Sequence, residues 1–198
     1  MTFEWTAEAG TFNGTGANVT WKAPADASTP KPIVLTVKVS DPGSNSTTGT
    51  TTLSLHNSRK EVGDLSRQFL LDFSDSKNGA AFVVRNFTKS PRCEADRDEE
   101  FNEIDANRST YRITSSSIGP ATVNLEFASR PCSYLPRDGD ACASVPSTWD
   151  SVCAAGVTCM PGRSQGIDYV TAVYEGTEWK LCASYFQPTG SMVKGFIK

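Results

Sequence analysis

The chain has 198 residues, a formal net charge of −3 and a single histidine. Its charges are mixed along a mildly acidic chain, with no basic stripe of the kind that nucleic-acid backbones or anionic membranes select, so neither partner is expected. No apolar run approaches the roughly 20 residues needed to cross a bilayer, and the N-terminus has no charged region leading into an apolar stretch; if the protein is exported, its signal lies outside this sequence.

Residues 1–57 read as strands. Phe3 and Trp5 alternate with polar residues, Val19 and Trp21 repeat the pattern, and Ile33, Leu35, Val37 and Val39 continue it with Val34 on the other face. Thr51 to Leu55 closes the set with Leu53 and Leu55. Between the runs stand Asn13-Gly14, Thr15-Gly16, Pro24, Pro30, Pro32 and Asp41-Pro42-Gly43, the residue types that sharp reversals require. Trp5 and Trp21 are expected to pack in the core.

The paired segments Trp5-Thr6-Ala7 and Trp21-Lys22-Ala23-Pro24, with Leu35 to Asp41 after them, resemble the latter part of an immunoglobulin-like or PKD-like sandwich module of bacterial surface proteins. Such modules have two further strands before the first tryptophan. The resemblance therefore implies a module truncated at its N-terminus, or a gap filled by another element. Open sandwich edges pair readily with other chains, so self-association through this end is an expectation.

From residue 58 the texture changes. Val62, Leu65, Phe69, Leu70 and Phe73 recur at helical spacing until Ser74 to Gly79 breaks it. A second helix is expected over Ala80 to Thr88. A third follows Cys93, with Glu94, Asp96, Asp98, Glu99 and Glu100 crowding its start, where carboxylates favour the positive end of the helix dipole, and Phe101, Ile104 and Arg108 in its later turns. The acidic run lacks the spacing of a calcium loop and reads as a solvated helix start. Strands come next: Tyr111 and Ile113, a turn at Ile118-Gly119-Pro120, then Val123, Leu125 and Phe127. Late in the chain Tyr169 to Tyr174 and Trp179 to Phe186 flank Glu175-Gly176-Thr177-Glu178 as a hairpin.

All six cysteines lie after residue 90, four of them (Cys132, Cys142, Cys153, Cys159) in the irregular stretch 131–166. With an even count and no C-x-x-C pair, disulfides are favoured over a metal site, and they place the protein in an oxidising, extracytoplasmic compartment. Of the 15 pairings open to six cysteines, spacing favours Cys132 with Cys142, Cys153 with Cys159, and Cys93 with Cys182. The first two close short loops within a Pro- and Gly-containing excursion, and the third ties the helical region to a late strand.

Three helices followed by antiparallel strands describe an α+β domain over 58–198, with the helices packed on one face of a curved sheet. This order resembles the NTF2-like (SnoaL-like, cystatin-like) cone fold. The likeness rests on the helix around Leu65 to Phe73, the segment Asn107 to Ile113 and the hairpin Tyr174 to Cys182, and 131–166 stands out as an insertion. The fold class expected is thus an all-β sandwich module followed by an α+β domain.

Enzymes of that family commonly place an Asp or Glu with a His or Tyr inside the cone. No catalytic residue carries over, because His56 precedes the domain and is the one imidazole, which removes Ser-His-Asp and Cys-His arrangements. Glu126 or Asp168 could act alone with a raised pKa in an apolar pocket. Tyr111, Phe127, Tyr134, Trp149, Tyr169, Tyr174, Trp179 and Tyr185 are the candidate ligand-binding aromatics, and Trp149 and Tyr134, in the loop, are expected to be exposed. The partner classes left are a small molecule, a glycan or a protein, with no cofactor and no metal expected. Asn13, Asn18, Asn45, Asn86 and Asn107 each satisfy N-x-S/T, but a bacterial module is not expected to carry glycans there.

Overall fold

The structure is a computed structural model, and it describes residues 1–24, 28–125, 132 and 139–189. The chain divides into two compact units, 1–57 and 58–198. It is mostly β, with three helices and open antiparallel sheets.

The first unit is built from strands β1 (Thr2–Ala7), β2 (Thr11–Asn13), β3 (Thr20–Lys22), β4 (Lys31–Ser40) and β5 (Ser46–Leu55). The order β1-β4-β5 makes one three-stranded sheet, and β2 with β3 makes a separate hairpin. Register puts Phe3 against Val39, Trp5 against Val37 and Ala7 against Leu35, so the apolar residues share a face. Asp41 closes the β4–β5 turn, accepting from the Asn45 N–H and side-chain amide at 2.9 Å each. Gly10 is required where it stands, because a Cβ there would lie 2.5 Å from the Trp21 ring nitrogen.

Trp5 and Trp21 do not sit in a sealed core. Both are half-buried, donating from their indole N–H groups to the Gly16 and Ala9 carbonyls at 3.0 Å, and Ile33 is the one buried side chain among the described residues of this unit. The reason is geometric: among the described residues of this unit, a three-stranded layer and a two-stranded hairpin of three-residue strands offer too little area to seal an apolar face.

The second unit opens with α1 (Ser58–Ser74), whose Val62, Phe69 and Leu70 are buried. Arg108 of a later helix donates to the Phe73 carbonyl, an acceptor that the end of α1 leaves without an intrahelical partner, and to the Asp75 carbonyl just beyond it. The second helix is shorter than its periodicity predicts. α2 (Ala80–Val83) gives way to a 3-10 turn at Val84–Asn86, after which the chain extends. Phe87 then bridges to Leu181 in parallel, and the Thr88 N–H donates to the Leu181 carbonyl at 2.7 Å. Continuing the helix would forfeit this pairing, which covers the edge of the last strand.

After a 3-10 turn at Pro91–Cys93 comes α3 (Glu94–Thr110), and then β6 (Tyr111–Ile118), β7 (Thr122–Asn124), β8 (Ala141–Cys153), β9 (Gly162–Glu175) and β10 (Glu178–Pro188). The sheet runs β10-β9-β8-β6, and β7 pairs with β8 beyond the end of β6. Much of the expected 131–166 excursion is therefore ladder, with Ala141 to Ser151 paired to Ala172 to Gly162 in an unbroken register. Alternation decides the faces: Ala141, Ala143, Val145, Ser147, Trp149 and Ser151 are all buried, and the residues between them are mostly less so. Cys142 and Pro146 obscure that period-two pattern in the sequence. Of the strand expected at Val123 to Phe127, Thr122–Asn124 pairs with β8, and Phe127 lies outside the described residues.

The core joins Val62, Phe69, Leu70, Val83, Phe87 and Ile104 from the helical part to Val145, Trp149, Val170 and Leu181 from the sheet. Three disulfides are present: Cys93–Cys182, Cys132–Cys142 and Cys153–Cys159. The first joins residues 89 apart, and Cys182 is the extra residue of the irregularity between Leu181 and Ala183 in β10. Beside it, Arg92 forks onto the buried Asp140 at 3.0 and 2.6 Å. Replacing Cys93 and Cys182 together by alanine should lower unfolding free energy by about 2–4 kcal/mol in urea denaturation; unchanged stability would show that the bridge closes nothing the fold needs.

Candidate functional site

The inward face of the sheet is not uniformly apolar. Ser147, Ser151, Ser164 and Asp168 are buried there among Val145, Trp149 and Val170. Asp168 pairs in register with Val145 of β8 and Phe186 of β10, and the Ser147 hydroxyl donates to its Oδ2 at 2.5 Å. Burial pushes the Asp168 carboxyl up to about 7 against the lowering effect of the Ser147 bond, and the Glu100 charge adds a smaller push.

Glu100 is brought in by α3. It is part of the acidic run that reads as a solvated helix start, yet the Ser184 hydroxyl of β10 donates to its Oε2, and burial raises its carboxyl to about 7, with Glu103 and Glu99 contributing less. The residue keeps partial exposure while its carboxyl end is withdrawn from water. Helical periodicity explains the exception. Glu100 lies four residues before the fully buried Ile104, on the side of α3 that meets the sheet, whereas Glu94, Asp98 and Glu99 are exposed.

Aromatic rings share the sheet face that carries Asp168. Trp149 lies 5.6 Å from Phe73 and 5.2 Å from Phe186 between ring centroids. Phe186 reaches it by lying over Gly166, where a Cβ would stand 2.6 Å from the phenyl ring, so only glycine permits the contact. The Trp149 indole nitrogen is buried with no hydrogen-bond partner among the described residues. At 4% exposure Trp149 is interior, which corrects its expected place on an exposed loop. Its strand turns it inward.

The other predicted aromatics do not form one wall with it. Tyr174 and Trp179 meet edge to face at 5.3 Å beside the final hairpin turn, with Tyr174 exposed. Tyr169 and Tyr185 are cross-strand partners, one residue out of phase with Asp168 and Phe186 and so on the opposite face. Tyr111 begins β6 opposite Cys153. Phe127, Tyr134 and Glu126 lie outside the described residues. The structure does bring together each of the three cysteine pairs singled out by spacing.

Among the described residues no three His, Cys, Asp or Glu side chains converge as metal ligands. A surface groove of about 470 Å³ lined by Arg59, Lys60, Arg67 and Pro120 carries cations, but they serve packing: Arg67 donates to the Gly119 carbonyl at 2.9 Å, Arg59 to that of Val123 at 2.5 Å, and Lys60 pairs with Asp64.

Chemically, Asp168 and Glu100 are each tethered to a serine hydroxyl and, among the described residues, neither forms an ion pair, unlike the buried Asp72 and Asp140, which pair with Arg85 and Arg92. Sequence reasoning missed Glu100, Ser147, Ser184 and Phe186. The inward phase of α3 was the available signal for Glu100, whereas nothing local marks the two serines. No family model matches the chain, and no curated protein or solved structure matches it.

Because both carboxyls hold their protons more tightly folded than unfolded, the folded unit carries extra bound protons between the ordinary values of 3.8 and 4.5 and about 7. Stability is then fully present below that window and declines as pH rises through it. The melting temperature should fall by about 5–10 °C from pH 5 to pH 8, and Asp168→Asn with Glu100→Gln should remove most of that slope. A wild-type melting temperature that rises over the same range would contradict the assignment.

Proposed function

We propose that this is an exported or surface-attached bacterial protein in which an immunoglobulin-like or PKD-like spacer presents an NTF2-like domain used for binding or assembly rather than turnover. The observation that carries the reading is aromatic packing among the described interior residues. Trp149 meets both Phe73 and Phe186, and Phe69 and Phe87 meet edge to face at 5.3 Å in the same core, an interior built for packing rather than for holding a ligand. Three disulfides and no described helix long and apolar enough to cross a membrane are compatible with an oxidising, extracytoplasmic setting. With Trp149 interior, a partner surface must be sought elsewhere on the domain.

A second reading has its own support. Asp168 and Glu100 are inward, protonatable near neutrality and accompanied by the unpartnered Trp149 nitrogen, an arrangement suited to a small polar ligand or to acid chemistry if the aromatic rings part. A thermal-shift screen of sugars, small organic acids and amines separates the two. The scaffold reading predicts no stabilisation above about 2 °C; a ligand that stabilises the wild type and fails with Asp168→Asn would establish the pocket reading instead.

A further inference from the structure

Strand β5 is the longest unprotected feature of the first unit. It runs Ser46-Thr47-Thr48-Gly49-Thr50-Thr51-Thr52-Leu53-Ser54-Leu55 at one edge of the three-stranded sheet, and every residue from Ser46 to Ser54 is exposed. It pairs with β4 over its whole length with no register shift, so no bulge twists the edge away. It contains no charge and no proline, the devices by which sheet edges usually resist pairing. The opposite edge is different. β1 is six residues long, carries Glu4, and leads through Gly10 into the hairpin that Trp5 and Phe12 join at 6.0 Å.

We infer that β5 is a pairing strand for a second copy of this chain, joined antiparallel about a two-fold axis at Thr51, so that two three-stranded sheets become one continuous sheet. The self-complementarity of the strand selects this occupant and this register. A two-fold axis normal to the sheet keeps like faces together, so paired positions must have the same phase. About Thr51, Leu53 falls opposite the partner's Gly49, Thr47 opposite the partner's Leu55, and Thr50 opposite the partner's Thr52. Leu53 is 41% exposed in the single chain, and a Cβ at Gly49 would meet only the Val37 side chain, at 3.7 Å. An exposed leucine thus faces a position with no side chain on its own apolar face, and threonine faces threonine on the polar one. Pairing also extends the thin layer whose one buried side chain is Ile33. The inference does not depend on what the second unit binds.

Analytical ultracentrifugation of the full chain over a wide concentration range tests it. A reversible dimer is expected. T50K/T52K places lysine opposite lysine twice across the axis and should weaken the dimer about tenfold or more, whereas T50K/T52E places opposite charges at the same two contacts and should restore it. Both variants alter the same exposed positions, so circular dichroism showing the two equally folded excludes loss of structure as the cause. A wild type that stays monomeric throughout, a dimer indifferent to T50K/T52K, or an open ladder of higher species would each overturn the two-fold pairing at β5.

Discussion

The second unit is organised around the bridge between Cys93 and Cys182. It fastens the residue before α3 to the point where β10 takes in an extra residue, and the segment leading up to it runs along the free edge of that strand through the Phe87 and Thr88 contacts with Leu181. Thr88 also donates to Glu175 at 2.6 Å, so the turn between β9 and β10 is held from the same segment. One covalent link thereby covers an exposed edge, sets the start of a helix and closes a long stretch of chain.

The consequence of that placement is electrostatic. Once α3 is fixed against β10, its period carries Glu100 toward the sheet together with Ile104, and the carboxyl meets Ser184 where water is scarce. Asp168 reaches the same interior from β9. Among the described residues neither carboxyl forms an ion pair, and burial favours their neutral forms, each anchored by a hydroxyl. Buried acids of this kind oppose stability above neutrality, a burden a pure scaffold does not need. The tension between an interior packed with aromatic rings and two buried acids held by hydroxyls is the main reason a pocket function stays the second reading.

Legibility in the sequence followed the range of the interactions. Long periodic signals were plain: Val62 to Phe73 marked α1, and Tyr169 to Phe186 marked the last hairpin. The change of texture near His56 coincides with the division at 57 and 58. Cysteine spacing singled out three pairs that the structure brings together, since two close short loops. Non-local effects were hidden. The early end of α2 is imposed by Leu181, nearly a hundred residues later, and no local pattern carries that pairing. β8 was hidden because small residues, a cysteine and a proline interrupt its apolar alternation, so Trp149 read as a loop residue although its strand turns it inward. Glu100 was masked by its acidic neighbours, which are solvated as charge patterning suggests.

The bridge, acting through α3, holds the Glu100 carboxyl in the interior near Asp168. Carboxyl carbon NMR titration of the native protein and of a C93S/C182S variant addresses it. Midpoints near 7 are expected for both acids in the native protein, with a fall of the Glu100 midpoint toward the ordinary carboxylate range, and Asp168 remaining high, when the bridge is removed. Midpoints near 4 in the native protein, or a Glu100 midpoint that ignores loss of the bridge while the fold persists, would contradict it.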